Sequence, residues 1–533
     1  MKLLKSTASF GGVTLLSRIM GFARDVVLAR FFGADAVMDA FAAAFRLPNL
    51  LRRIFAEGSF SLAFVPVFSE ARERGDDPAL RQLIDAVSGC LIAVLLMVTA
   101  IGVLCAPWIM RLVVPGFADE PGQMKLAGDL LRIMFPYLML VSLTAMAAGI
   151  LNTIGRFALP ALTPVMLNLS IIVGAAAFSH QFDRPIMAVA WSVLIAGILQ
   201  LLMLLPALKK HGLLPRPKLL FNHPGVRKIQ RLMLPTLLGS SVAQINLLFD
   251  TFLASLLIAG SLSWLYYSER LMDFPLGIFG VALATVILPT LSTLHARVDP
   301  GQFRRTLEWA LLLGMVIGVP AAVGLMLLAE PLMLTLFERG EFSLADAQWA
   351  GFSLATYCLG LPAFIAVKIL APAYFSRQDT VTPVKIALIA LLSNMLMNVL
   401  FVAALLVYWT EPDGDWWQRM QSAPGLHAGL ALASSAAGWI NAGLLWRRLG
   451  PTGLQPSLQW VHVGRIVLAV IGMGLIVVWL SPPINQWQLA DTSTRVLWCA
   501  AAVGSGAGAF GLLLLLLGMR KHHLIKPAGP APQ

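Results

Sequence analysis

The stretch SRIMGFARDVVLARFFGADAVMDAFAAAFRLPNLLRRIFAEG, residues 17–58, places charge inside two segments that otherwise read as membrane-spanning helices. It carries Arg18, Arg24, Arg30, Arg46, Arg52 and Arg53 against Asp25, Asp35, Asp39 and Glu57. A charge at the bilayer centre costs about 2.5–3.5 kcal/mol even on the lenient insertion scale. So many arginines cannot all face lipid. They are expected to line a wet, protein-enclosed cavity, and a cavity with excess positive charge favours an anion.

The rest of the chain agrees with a membrane setting. Of 533 residues, 58% are hydrophobic and 12% charged, and the mean hydropathy is +0.79. A soluble domain carries about 25% charged residues. The longest polar run, Leu208 to Arg231, is a connector and not a domain. Spanning the hydrocarbon takes about 20 mostly apolar residues. Fourteen segments qualify once the arginines of the first two are accepted: about 9–32, 36–68, 82–111, 126–154, 158–179, 186–208, 232–258, 262–294, 306–336, 347–375, 382–409, 425–446, 461–481 and 496–518. The predicted fold class is therefore all-α, a polytopic membrane protein.

Orientation follows from the cations in alternate connections. One set holds Lys2, Lys5, Arg72, Arg74, Arg81 and Arg156, seven cations between Lys209 and Arg231, then Arg297, Arg304, Arg305, Arg377, Arg447, Arg448 and Arg520. The other holds a handful, among them Arg184, Arg339, Arg419 and Arg495. Both termini are predicted to be cytoplasmic. The same one-sidedness assigns the net charge of +12 to anionic lipid headgroups, and no nucleic acid is expected as a partner. The basic, then apolar, start MKLLKSTASF resembles a signal peptide, but Arg18 interrupts it and no cleavage motif follows, so a retained first helix is predicted. Cys90, Cys105, Cys358 and Cys499 stand singly in apolar runs and carry no redox reading.

A weak internal repeat divides the chain. Arg46-Leu47-Pro48, Ile54-Phe55 and Phe64-Val65-Pro66-Val67-Phe68-Ser69 recur as Arg270-Leu271, Ile278-Phe279 and Ile287-Leu288-Pro289-Thr290-Leu291-Ser292. Six spans separate the copies, so both insert in the same direction, and parallel repeats are a transporter design with the substrate held at their interface. The boundaries predicted are an N-lobe over 1–210, a cytoplasmic amphipathic linker over 211–231, a C-lobe over 232–448 and, over 449–533, two additional helices with a cytoplasmic tail. The last two spans read either as packing surface or as a lipid-facing groove for a long hydrocarbon chain.

Arg18 and Asp25, seven apart, share a helix face, and a buried Arg–Asp pair as structural glue competes with a ligand role there. Gly21, Pro48 and Gly58 predict kinks or breaks. In the second half Glu269, Arg270 and Asp273 form a charge cluster beside Ser263, Tyr266 and Tyr267. Arg270 and Asp273 could neutralise one another, yet guanidinium suits phosphate through its planar donor fork. Three arginines from separate helices would hold a diphosphate. Asp250, a lone acid in the seventh span, and Asp379, before the eleventh, read as cation-coupling candidates. Capping competes for Asp379, because Asp379-Thr380 precedes a span with Pro383 in its first turn. Lys368 has no reading. Gly504 and Gly508 have GxxxG spacing for close helix packing. No Walker A lysine, metal-ligand spacing or nucleophile–base set is present in the sequence, so a transporter rather than an enzyme is predicted, without cofactor, driven by a monovalent cation or the membrane potential.

The motifs Ser17-Arg18-x5-Arg24-Asp25, Asp39-Ala40-Phe41, Arg46-Leu47-Pro48-Asn49-Leu50-Leu51-Arg52-Arg53, Phe55-Ala56-Glu57-Gly58, Arg270-Leu271-x-Asp273-Phe274-Pro275 and Asp379-Thr380-x-Thr382-Pro383 closely resemble the MurJ (MviN) lipid II flippases. The likeness spans essentially the whole chain. It implies the two-lobed fold of the multidrug/oligosaccharidyl-lipid/polysaccharide exporter superfamily. It implies that lipid II, the undecaprenyl-diphosphate-linked peptidoglycan precursor, is moved from the inner to the outer leaflet of the bacterial inner membrane. Membrane lipids and cell-wall synthesis proteins are the implied partners. By that resemblance Arg18, Arg24, Arg52 and Arg270 correspond to the family's cavity arginines, and Asp39, Ser263 and Asp273 line the same cavity. Asp273 stands where the family pattern has Glu, which keeps the charge and shortens the reach. Asp25, Arg53, Glu57 and Glu269 are the supporting charges, and the last two helices carry the groove for the lipid tail. Alternating access would expose the headgroup first inside, then outside. A cation-coupled multidrug exporter of the same fold is the competing reading, but it calls for acids and aromatics in the cavity. Another polyprenyl-linked glycan would meet the same arginines, and a scaffold without transport would leave the buried charge unexplained.

Overall fold

The structure is a computed structural model. It describes residues 2–54, 60–409 and 415–520, without the side chains of residues 2–11, 14, 235–243 and 281. Among the described residues every regular element is helical. Among the described residues ten helices are long and apolar enough to cross a membrane, and the pair Leu344–Cys358 and Leu361–Phe375, bent by 42°, makes an eleventh if it is one span. The chain is an all-helical, multi-pass membrane protein. All eleven fall on predicted spans. The other three predicted segments, about 9–32, 36–68 and 232–258, lie on helices outside this set. Arginines lower the apolarity of the first two.

By contacts the chain separates into two compact units, Met1–Leu262 and Ser263–Gln533. The first contains α1 (Lys2–Phe32), α2 (Ala36–Leu51), α3 (Ser61–Glu73), α4 (Asp77–Leu104), α5 (Ala106–Val113), α6 (Pro121–Met134), α7 (Tyr137–Thr153), α8 (Ala158–Ala161), α9 (Thr163–Val173), α10 (Ile186–Lys210) and α11 (Pro224–Ser255). Asp35 starts α2, its carboxylate accepting the N–H groups of Val37 and Met38 at 2.9 and 3.0 Å. Pro48 lies within α2, and residues 52–54 leave the α-helix for a wider π-type turn. Gly21 does not break its helix, contrary to expectation: α1 runs through it, and the missing side chain admits Asn168 of α9 instead.

α1 packs on α9, α2 on α6, and α10 on α7 and α9. Phe60, Phe64 and Phe68 stack with centroids 5.2 and 5.6 Å apart, in a core with Ile84, Ile150 and Leu208. Val226 and Ile229 enter the same core, so the first turns of α11 pack with the first unit. The amphipathic helix expected over Pro215–Arg231 forms only from Pro224. Residues 213–220 run as an irregular strap, because Pro215 and Pro217 lack the N–H donors a helix needs and push their predecessors out of the α region.

Between helices in lipid, close van der Waals packing matters more than apolar burial. Gly116 shows the tolerance involved: a Cβ there would stand 1.9 Å from the Ser255 carbonyl oxygen at the end of α11. Gly116→Ala should therefore lower the unfolding midpoint in detergent, by an amount equivalent to about 1–3 kcal/mol of overpacking. An unchanged midpoint would show that this corner yields freely.

The second unit contains α12 (Ser261–Pro275, whose first turn straddles the division), α13 (Val281–Ala296), α14 (Pro300–Leu327), α15 (Ala329–Leu336), α16 (Leu344–Cys358), α17 (Leu361–Phe375), α18 (Val381–Trp409), α19 (Trp416–Ser422), α20 (His427–Arg448), α21 (Trp460–Leu480), α22 (Ile484–Leu489) and α23 (Thr492–Leu516). A π-type turn, Leu276–Gly280, joins α12 to α13. Ile278 lies in this turn as its repeat counterpart Ile54 lies in the one after α2, a structural likeness added to the sequence one. α18 pairs with α20, α14 with α17 and α21, and α21 with α23. The GxxxG expectation fails in its register. A Cβ at Gly504 or Gly508 would meet nothing within 4 Å, whereas at Gly506 it would stand 2.8 Å from Val477 of α21. The packed glycine is the middle one.

Candidate functional site

On α1, Arg24 and Asp25 are 7% and 2% exposed. Arg24 Nε and Nη2 donate to Asp25 Oδ1 at 2.9 and 2.6 Å, and Nη1 donates to Asn168 Oδ1 at 3.1 Å. Asn168 Nδ2 in turn donates to the Ser17 carbonyl at 3.2 Å. Neighbouring residues point 100° apart on a helix, but the long arginine side chain spans the difference. Asp25 thus pairs with its neighbour and not with Arg18, although Arg18 shares its helix face. Arg18 is half-buried, and among the described residues no carboxylate pairs with it. Arg30, in the last turn, is exposed.

The α2 charges turn to a different partner. Asp39 Oδ2 accepts the Gly260 N–H at 2.7 Å, and Arg46 Nη1 donates to Thr251 Oγ1 at 2.6 Å. Both are buried, so α2 holds the end of α11 and the turn after it. Arg46, one of the arginines expected from sequence to line a wet cavity, is instead buried against Thr251, 205 positions away, a partner that nothing in its own helix announces. Arg52 is half-buried, with Nε and Nη2 donating to Asn49 Oδ1 at 3.1 and 2.7 Å. Arg53 is exposed, and Glu57 lies outside the described residues. Asp250 on α11 is half-buried and accepts from Asn246 Nδ2 at 3.2 Å.

In the second unit, Trp264 Nε1 donates to Asp346 Oδ1 at 2.8 Å and the Ser268 hydroxyl to the Ala350 carbonyl at 2.6 Å, fastening one side of α12 to α16. At 100° per residue, Ser263, Tyr266, Arg270 and Asp273 form a stripe on the far side. Ser263 and Tyr266 are buried, while Glu269, Arg270 and Asp273 are half-buried. The Arg270 guanidinium carbon lies 4.8 Å from the Tyr266 ring centroid, a cation–π contact that orients the fork. Lys368 stands exposed on α17, its Cγ 3.7 Å from where a Cβ at Gly280 would be.

Asp379 sits in the connection before α18, where its Oδ1 accepts the Thr382 N–H at 3.0 Å. That is the capping geometry. The Thr382 N–H holds the carboxyl below the ordinary aspartate range, against the opposing effect of burial. A depressed native value means that the cap contributes fully above about pH 4 and is lost as pH falls through that value. Asp379→Asn, an acceptor that cannot titrate, should flatten the acid side of the midpoint-versus-pH curve. Asp379→Ala should cost about 1 kcal/mol at neutral pH.

One buried cation was read from sequence only as a loop charge. Arg495, at the start of α23, is 6% exposed. It donates to the carbonyls of Trp487 at 2.7 Å, Gln488 at 2.9 Å and Leu334 at 3.2 Å, and to the Glu338 carboxylate. Four acceptors from α15, α22 and their ends converge on one guanidinium.

Alongside this arrangement of buried and half-buried guanidiniums in a multi-pass helical protein, the sequence matches a defined family. A family profile described as lipid II flippase MurJ covers residues 28–410. The chain belongs to the MurJ family. The probable lipid II flippase MurJ of Haemophilus influenzae is 42% identical over 528 residues, 96% of this chain and 99% of its own length. A solved lipid II flippase MurJ in an inward closed conformation superposes with a TM-score of 0.79 at 26% identity, covering 95% of this chain and 98% of that one. An inward-facing multidrug resistance MATE family transporter of the MOP superfamily superposes with a TM-score of 0.65 at 15% identity, covering 82% and 95%. The last shows a common fold and no more. The MurJ sequence family and the helical membrane fold therefore agree along nearly the whole chain.

Proposed function

We propose that this protein is a flippase for lipid II in the bacterial inner membrane, with both termini in the cytoplasm, and not an enzyme. The observation that carries the reading is likeness along 96% of the chain to a relative named as a probable lipid II flippase. Its physical requirement is clear. A diphosphate cannot cross hydrocarbon without replacing its water, and planar, permanently charged guanidinium forks are suited to replace it. The proposal assigns diphosphate contacts to Arg18, Arg24 and Arg52 on the first unit and to Arg270 on the second. In this proposal Asp39, Ser263 and Asp273 line the same cavity, with Asp25, Arg53, Glu57 and Glu269 supporting. The polyprenyl tail stays in lipid beside α21 and α23 while the headgroup moves by alternating access. A monovalent cation, with Asp250 as a ligand, or the membrane potential supplies the drive. A multidrug exporter for cations would not retain an arginine excess in its membrane helices.

The deciding experiment is a vesicle flipping assay with purified protein, comparing lipid II with another polyprenyl-diphosphate sugar, with and without an ion gradient or potential. Lipid II transfer faster than that of the competitor is expected. Equal transfer of both would replace this substrate by a broader class, and no transfer of either would favour a scaffold. Arg52→Ala and Arg270→Ala should each slow transfer while leaving membrane insertion intact, read by fractionation.

A further inference from the structure

A cavity of about 850 Å³ opens in the first unit between the first turns of α4, the last turn of α10 and the strap 213–220. Its charged lining is Asp77, Arg81, Asp85, Lys209, Arg216 and Lys218, four cations to two carboxylates. One carboxylate is engaged in building the wall. Asp85, 8% exposed, accepts the Arg216 N–H at 2.8 Å on Oδ1 and stands 3.2 Å from Lys218 Nζ through Oδ2. Its carbonyl accepts the Lys218 N–H at 3.0 Å. The strap passes so close that a Cβ at Gly89 would stand 2.2 Å from the Lys218 carbonyl oxygen. Gly212, at φ +68°, turns the chain out of α10 where the Arg81 guanidinium approaches. Bonds and glycines thus hold the strap in place. Among the described residues no carboxylate pairs with Arg81, Lys209 or Arg216.

We propose that this cavity binds a phosphate group, as a site additional to the transport function. Arg81, Lys209 and Arg216, which no carboxylate pairs among the described residues, and Lys218, which shares Asp85, favour a compact, oxygen-rich anion. The strap identifies the favoured source. Leu214, Leu219, Leu220 and Phe221 expose apolar side chains next to the cations, Leu219 to 67%. Such side chains are suited to the interfacial region of a bilayer, and the cation bias places this face on the cytoplasmic side. The phosphate is that of an anionic phospholipid. A soluble phosphate compound shares the chemistry and forms the other arm of the test.

Full-length protein in neutral detergent is titrated with short-chain phosphatidylglycerol, with inorganic diphosphate and with short-chain phosphatidylcholine, reading the unfolding midpoint. Phosphatidylglycerol should raise it saturably, less so as salt rises, and phosphatidylcholine should not. Arg81→Gln/Arg216→Gln should shift half-saturation by about fivefold per cation removed. If that variant fails to fold, Lys209→Gln, at the exposed last turn of α10, gives the same reading. A saturable diphosphate response lost in the variants would support the site and assign it to a soluble ligand. No saturable response to either anion, or one unchanged in the variants, overturns the proposal.

Discussion

Arg24→Ala is expected to reduce lipid II flipping in reconstituted vesicles by roughly tenfold to over a hundredfold, the range for losing a charged hydrogen-bonding partner of about 1.5–3 kcal/mol. The geometry makes the result informative only with a second variant. Arg24 is bonded to Asp25 and Asn168 within the first unit, so alanine also takes the guanidinium away from a carboxylate that is 2% exposed. Breaking a buried pair from one side costs about 3–5 kcal/mol, which alone could lower the amount of folded protein. Arg24→Ala/Asp25→Asn also removes the acid's charge and leaves the anion without its donor. It should recover the unfolding midpoint without recovering flipping. Recovery of both would mean that Arg24 serves only to neutralise Asp25, and the anion role would then pass to Arg18.

Arg495→Ala is expected to have a large effect on stability. It would leave the carbonyls of Trp487, Gln488 and Leu334 and the Glu338 carboxylate without their shared donor. Each buried acceptor left unpaired costs about 1–3 kcal/mol, seen together as a strong fall of the unfolding midpoint in detergent. Arg495→Lys should recover only part, since an ammonium cannot meet acceptors set around a planar fork. If lysine restored the wild-type midpoint, fork geometry would not matter and simple charge would account for the contact.

Several features were legible because they are properties of a segment by itself. Membrane-length apolar runs and the charges set within them depend on residues within a few positions, whereas the breaks at Pro215 and Pro217 overturn the expected amphipathic helix, which forms only from Pro224. The motif-bearing arginines were also found, because charge in an apolar run stands out whatever surrounds it. Their partners were not. Helical periodicity gives the direction of a side chain and not what stands opposite. It put Arg18 and Asp25 on one face, while the reach of Arg24 took Asp25 instead. The same limit explains Gly506, which packs against α21 although Gly504 and Gly508 have the recognised spacing. It explains Arg495 as well, whose acceptors lie up to 161 positions away.

The sequence by itself determined that this chain is a membrane-embedded helical protein of the MurJ family, because hydropathy, charge and motif are carried by residues near one another. Only the tertiary structure decided which charges neutralise each other. It tied Arg24 to Asp25 and α9, gave Asp39 and Arg46 to the end of α11 and the turn after it, and gathered on Arg495 two nearby carbonyls and two acceptors 157 and 161 positions away. The reason is physical: an ion pair in a low-dielectric interior forms with whichever group the packing of backbones brings within about 3 Å, and that packing joins residues the chain keeps far apart.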